Sequence, residues 1–415
     1  MQTTDKSAVD SQLFRQYQPG FGLPGAYYHD ADVYAAEMER IWRPGWLFAG
    51  HTCEVAEPGD YFTFFMDTDP IVVIRDDERQ VRAFHNVCTH RGTMLFQQRE
   101  GRVGRAVVCP YHQWTFARHG DLLACRGMHE GVNKSELGLR PVAVETVAGM
   151  IFVSLANSPS DFAPAREVFA SAGPHNFEGA KVAKALEYEI RANWKIVWEN
   201  NRECYHCDAN HPQYVKANFD TADAEQDSPE KRQAIAEVVA QHEARWAAAG
   251  VAVTHTKGGL ARFPDPDNDI WFSASRTVQV DGYESESMDG RRVAPLLGKF
   301  TDPDVGVLRM RALPNFWNHT SCDHSVTTRL LPAGQRMTRA RVIWLVDRQA
   351  REGADYQLEK LLPFWQLTSE QDWHLCEMVQ RGVDSTAYSP GPLSKLWEYN
   401  VQAFIDWYLS KMSAI

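Results

Sequence analysis

The stretch VCTHRGTMLFQQREGRVGRAVVCPYHQW, Val87 to Trp114, holds Cys88 and His90 on one short loop and Cys109 and His112 on another, with eighteen residues between the pairs. Each loop offers one thiolate and one imidazole, and two such loops can close on a metal centre. A [2Fe-2S] cluster in which two histidines replace two cysteines on one iron needs this donor set. A structural zinc site also takes two cysteines and two histidines, but zinc fingers usually keep the cysteines in one pair and the histidines in the other. The mixed pairs favour the cluster over zinc. The flanking Arg91, Gly92, Gln113 and Trp114 would then touch sulfurs and imidazoles from outside.

On either side of this stretch the pattern is short and β-rich. Tyr61–Phe65, Ile71–Ile74, Ala106–Val108 and Met150–Leu155 are apolar runs separated by Gly, Pro and Asp, as expected of an all-β unit. Before it, Val33, Tyr34, Met38 and Ile41 recur at helical spacing behind Asp30, a good cap, and predict a helix over Asp30–Trp42. After it, Asn157 to Pro164 has linker composition. Beyond lie a predicted helix at Trp194–Cys204, an acidic stretch at Asp220–Glu230 read as a solvated loop, and an alanine-rich helix at Lys231–Ala249. Strands are expected at Arg276–Met288, Val307–Leu313, His324–Leu331 and Met337–Leu345, then two C-terminal helices. The expected fold is α+β: an N-terminal helical segment over 1–43 packing on the catalytic part, an all-β domain over 44–157, and an α+β domain over 158–415 whose antiparallel sheet is covered by helices.

A chain of 415 residues exceeds what one core usually supports, in keeping with two domains. The formal charge of -11 opposes attraction to nucleic acids and anionic membranes. Neither a leader nor an eighteen-residue apolar run is evident, so a cytoplasmic location is expected. Eight cysteines in this length do not make a disulfide framework; Cys53, Cys125, Cys322 and Cys376 are expected to be packing residues. Cys204 and Cys207 form a CxxC, but no βαβ pattern surrounds it to suggest a thioredoxin-like pair.

A second constellation, ECYHCDANH, sets His206 and His211 five residues apart among carboxylates. Two histidines and one carboxylate on a ferrous ion leave positions open for dioxygen. His319 and His324 are as readily core or pocket residues as ligands.

CTHRG and CPYHQW resemble the Rieske motifs of ring-hydroxylating and related oxygenases, and NWKIVWENNRECYHCDANHP, Asn193 to Pro212, resembles their mononuclear-iron region. The resemblance implies that Cys88 and Cys109 hold one cluster iron and His90 and His112 the other. It implies that His206, His211 and a downstream Asp hold the catalytic iron; Asp372 in SEQDWHLCEMVQRG fits that place, with Glu370 as the rival. It makes Glu203, where many members carry Asp, the bridge from His206 to a cluster histidine of a neighbouring subunit in a head-to-tail homotrimer. Electrons would come from NAD(P)H through a separate flavin and iron-sulfur reductase.

ENNRECYHC, WNHTSCDH and QRGVDSTAYSPGPLSK followed by FIDWY are most similar to the glycine betaine and proline betaine (stachydrine) demethylases. The implied activity is a monooxygenase that hydroxylates an N-methyl group of a quaternary ammonium compound, glycine betaine first, releasing formaldehyde. Another betaine, a carnitine-like compound, an aromatic-ring dioxygenase and a plain Rieske electron carrier are the alternatives. Aromatic faces bind such cations, which makes Trp271, Phe272, Phe316 and Trp317 pocket candidates, with His319 and Arg276 at the carboxylate end. GGLARFPDPDNDIWFSASRT departs from the demethylase pattern.

Overall fold

A computed structural model of the chain describes residues 16–129, 131–218, 228–251, 271–280 and 282–413. The acidic stretch and most of the divergent segment before Trp271 lie outside the described residues.

The β-rich half folds as an antiparallel sheet in the order β1-β10-β9-β4-β3-β2-β5 and a small sheet in the order β6-β7-β8. The strands are β1 (Leu47–His51), β2 (Asp60–Met66), β3 (Asp69–Arg75), β4 (Val81–His85), β5 (Glu100–Arg102), β6 (Val107–Val108), β7 (Thr115–Phe116), β8 (Leu122–Ala124), β9 (Pro141–Val147) and β10 (Met150–Ser154). Helix α1 (Ala31–Glu37) precedes them, and Asp30 caps it by accepting from the amides of Asp32 at 2.8 Å and Val33 at 3.2 Å. A π-helical turn continues it to Trp42.

The second half is an antiparallel sheet in the order β11-β16-β15-β14-β13-β12, comprising β11 (Ala180–Ile190), β12 (Phe272–Thr277), β13 (Val307–Ala312), β14 (Phe316–Thr320), β15 (Ser325–Pro332) and β16 (Thr338–Asp347). Helices α2 (Ala163–Phe169), α3 (Trp194–Asn201), α4 (Cys207–Asn210), α5 (Pro212–Ala217), α6 (Pro229–Ala248), α7 (Pro363–Val383) and α8 (Tyr399–Ser413) complete it. This is the α+β arrangement expected.

The strand expected over Arg276–Met288 is instead β12, ending at Thr277, followed by turns around Gly282 and Gly290. At Gly290, with φ +74°, a Cβ would come 2.5 Å from the Tyr283 ring, so the turn needs glycine. β11 and β14 have no counterpart among the expected strands.

Alternation along β12 to β16 sends residues to two different cores. One face carries Phe272, Leu308, Met310, Phe316, Ile343 and Leu345, which join Phe48, Phe152 and Phe169. The other carries Trp317, Val326, Val342 and Trp344, which pack with Trp194 and Trp198 of α3 and Phe364 and Trp373 of α7. The second face is the one that positions the site.

Candidate active site

Cys88 and Cys109 open two hairpins built alike. In the first, the Cys88 amide donates to Thr93 O at 2.8 Å and the Gly92 amide to Cys88 O at 2.9 Å; in the second, Cys109 donates to Trp114 O at 2.8 Å and Gln113 to Cys109 O at 3.0 Å. The fourth residue after each cysteine has positive φ, +75° at Gly92 and +61° at Gln113. The repeated turn sets the two cysteines and two histidines facing one another, with the His90 and His112 rings 4.6 Å apart. Trp114 stacks on His90 at 4.6 Å and 6°. Both thiols are buried and outside any disulfide. Burial opposes ionisation of Cys109, yet the amides of Tyr111 and His112 hold its thiol below the usual range.

Nδ1 of His90 and Nδ1 of His112 are buried without a hydrogen-bond partner. Two orphaned imidazole nitrogens beside two buried thiols are costly in a bare protein and are what a cluster would satisfy.

The second centre is assembled from three helices. Asn193 caps α3 by accepting from the Lys195 amide at 3.0 Å, and the chain leaves α3 after Asn201 to pass through Glu203 and Tyr205 into α4 and α5. His206 and His211 flank α4; Asp372 lies in mid-α7. Nε2 of His206 and Nε2 of His211 lie 3.2 and 2.9 Å from the same oxygen, Oδ1 of Asp372. Their other nitrogens are held from behind: His206 Nδ1 is 2.6 Å from Glu203 Oε1, and His211 Nδ1 is 2.9 Å from Gln371 Oε1. Glu370, the rival ligand, is exposed on α7 and accepts from Tyr188 and Gln366 instead.

Burial pushes the His206 imidazole down, but hydrogen bonds to Asp372 and Glu203 outweigh it and hold it at about 10. Against burial, the same two imidazoles keep Asp372 below the usual carboxylate range. A proton here occupies the place of a cation between three converging donors, and a divalent ion would displace it. The donors are two neutral-capable nitrogens and one carboxylate, which suits ferrous iron. Cys204 and Cys207, adjacent to these ligands, are joined by a disulfide.

Strand parity sorts the remaining candidates. Trp317 and His319 face the ligand helices: Trp317 lies 5.3 Å from Trp198 and 6.3 Å from Trp373, and His319 lies 4.3 Å from Trp365. Phe272 and Phe316 point the other way, into the core shared with the β-rich half, where Phe316 is 4.6 Å from Phe48. Trp271 sits at the sheet edge against Phe162, 6.2 Å away. Arg276 also faces away, donating to Val305 O at 2.5 Å. The cage expected from Phe272 and Phe316, and the carboxylate contact expected from Arg276, are therefore not formed on the ligand side of the sheet. His324 is tied up in a buried knot with Asp323, 2.8 Å away.

Several residues at this site had not been singled out. Trp365 precedes Asp372 by seven residues, two turns, so helical periodicity alone puts both on one face of α7. Gln371, Tyr214, Glu286 and Arg309 carry no such local signal.

A thiolate and imidazole cage in a β-rich domain, and a two-histidine, one-carboxylate cluster under helices on an antiparallel sheet, together define a Rieske-type non-haem iron oxygenase. Residues 45–143 match the Rieske [2Fe-2S] domain, and residues 177–414 match the ring hydroxylating alpha subunit (catalytic domain). The chain belongs to the family of ring-hydroxylating alpha subunits, whose two domains imply a Rieske cluster and a mononuclear iron. It is 40% identical over 407 residues to the glycine betaine monooxygenase oxygenase subunit of Chromohalobacter salexigens, covering 97% of this chain and 88% of that one. It is 38% identical to the oxygenase subunit of the same name from Pseudomonas aeruginosa, over 97% and 91% of the two chains. The fold matches that of a quaternary ammonium Rieske monooxygenase, solved in connection with carnitine oxidation and inter-subunit electron transfer, with a TM-score of 0.73, 22% identity and coverage of 95% and 96%. No described helix is long and apolar enough to cross a membrane.

Proposed function

We propose that the chain is the oxygenase component of a quaternary ammonium N-demethylase, with glycine betaine as first substrate. The observation that carries the reading is the convergence of His206, His211 and Asp372 on one point, in a chain whose full-length relatives are glycine betaine monooxygenase subunits. When bound, the cluster supplies electrons one at a time and the iron supplies dioxygen activation.

The chain's own part is positional. Cys88, His90, Cys109 and His112 hold the cluster, and His206, His211 and Asp372 hold the iron. Gln371 and Glu203 fix the two ligand imidazoles through their outer nitrogens. Trp317, Trp365 and Tyr214 line the sheet side, and excluding water there favours a cation that cannot donate hydrogen bonds. The substrate change balances as one methyl C–H becoming C–OH, with the second oxygen atom leaving as water at the cost of two electrons and two protons. The hydroxymethyl ammonium then loses a proton and formaldehyde, leaving the demethylated amine.

The two electrons are proposed to come from NAD(P)H by way of a separate flavin and iron-sulfur reductase. Glu203, at the surface side of His206, is proposed to receive a cluster histidine of the next subunit in a head-to-tail trimer. Exposed aromatics next to both centres support that contact: Tyr111, beside His112, is 55% exposed, and Tyr205, beside His206, is 61% exposed and stacked on Trp397. The test is formaldehyde release by purified protein, reductase and NAD(P)H across glycine betaine, proline betaine, carnitine and naphthalene. Stoichiometric formaldehyde with glycine betaine is expected, and a cis-diol from naphthalene without formaldehyde from any ammonium compound would overturn the reading.

A further inference from the structure

β13 and β14 pair with Arg309 directly opposite His319, and Ser275 and Val326 continue the same row. Arg309 and His319 are therefore neighbours on the face toward the ligand helices, one row from Arg311 and Trp317. Arg309 is 2% exposed; its guanidinium donates to Asn218 Oδ1 at 2.8 Å, and its Cζ lies 5.9 Å from the Tyr214 ring. Tyr214 follows the iron-side His211 by three residues on α5, and its ring is 5.9 Å from Trp365, two turns before Asp372. A buried cation thus stands behind an aromatic wall that begins at the iron ligands.

Glu286 fixes this arrangement from the loop before β13. Its Oε1 is 3.4 Å from His319 Nδ1, its Oε2 accepts from Trp365 Nε1 at 3.1 Å, and its Oε1 is 3.9 Å from the Arg309 guanidinium. At 3.9 Å the pair attracts without a direct hydrogen bond. Glu286 therefore orients the ring and the guanidinium, and the guanidinium's planar edge remains suited to a bidentate carboxylate.

We propose that Arg309 binds the carboxylate of a zwitterionic ammonium substrate, with Glu286 as its positioning residue, so that the chain selects betaines over cations lacking a carboxylate. The inference rests on the demethylase reading for its substrate class and replaces Arg276, which faces the other core, as the carboxylate contact. The ammonium end lies against Tyr214 and Trp365, on the side nearer His211 and Asp372.

The test compares glycine betaine with choline, which shares the trimethylammonium group but ends in a hydroxyl. Dissociation constants are measured by intrinsic tryptophan fluorescence on the iron-loaded protein, in parallel with formaldehyde release. Unmutated protein should bind glycine betaine at least about tenfold more tightly than choline, and Arg309→Met should abolish that margin while leaving choline affinity within about twofold, one charged bidentate contact being worth roughly that factor or more. Arg309→Lys, which keeps the charge and serves if the Met variant does not fold, should lose part of the margin. A margin undiminished in the variants, or equal losses for both ligands, overturns the proposal. So does the absence of any preference in the unmutated protein. If betaine binds preferentially but no formaldehyde forms, the demethylase reading falls and the carboxylate site stands.

Discussion

At the scale of single residues, Glu203 is the side chain with the most to lose from a small change. Its carboxylate holds His206 Nδ1 at 2.6 Å and accepts from the His206 amide at 3.3 Å. Glu203→Gln keeps the shape and an acceptor oxygen, so iron content and the cluster's visible spectrum should be unchanged. Turnover should fall by about tenfold to a hundredfold, the cost typical of losing an outer-shell partner. Normal steady-state rates with reductase would remove Glu203 from the electron path. Asp372→Ala should lose the mononuclear iron while keeping the two cluster irons, and Glu370→Gln should lose none; metal analysis per chain separates the two. A third prediction concerns His51, fully buried on β1 with Nε2 3.0 Å from Thr327 Oγ1 on β15. Burial holds its imidazole down at about 4. The unfolded chain binds this proton near pH 6.5 and the folded chain does not, so stability is present above that pH and is lost as pH falls from 6.5 toward 4. The loss attributable to this group is about 3 kcal/mol. Urea midpoints across that window should drop, and His51→Gln should flatten the slope.

At the scale of elements, three helices meet on one buried charge pair. Lys195 at the start of α3 pairs with Glu37 at the end of α1, and both side chains are fully buried. Glu37 also accepts from Trp194 Nε1 at 2.7 Å and from Tyr408 of α8 at 2.7 Å. Lys195→Met would strand a carboxylate among neutral donors and should cost about 3–5 kcal/mol in urea unfolding. Adding Glu37→Gln, which keeps the acceptor but drops the charge, should recover more than half; a double variant no better than the single would show that packing, not charge, sets the cost. Elements also mark the limits of the sequence. β2, β3 and β10 were legible because their apolar runs lie between turn residues. β11, KVAKALEYEI after Ala180, is half-exposed along most of its length and presents no clear alternation. β14 is five buried residues, two of them Asn318 and His319. The metal ligands were readable because each group sits within a few residues of itself, whereas Arg309, Glu286 and Trp365 meet only through strand register and helix packing. Phe272 and Phe316 went astray for the same reason: alternation separates two faces but does not say which one meets the iron helices.

At the scale of the molecule, charge is unevenly divided. The chain carries -11 overall, yet Val87 to Arg140, which holds both cluster hairpins, has eight Arg and Lys against four Asp and Glu. The outer approach to His206 is acidic by contrast, with Glu203, Asp208 and Glu398 close in sequence or field. Complementary faces on opposite parts of one chain favour a heterologous contact that closes as a ring. In such a ring each iron is fed from the next chain's cluster, and this can be separated from feeding within a chain by complementation. Cys109→Ser should disable the cluster, Asp372→Ala the iron, and each variant alone should be inactive. Co-expressed in equal amounts and assembling at random, they form junctions in which an intact cluster meets an intact iron about one time in four. The mixture should therefore regain about a quarter of normal formaldehyde release, and variants assembled separately and mixed afterwards should regain only what subunit exchange allows. In single-chain transfer no mixed assembly contains a working pair, and activity would stay at background however the chains are combined.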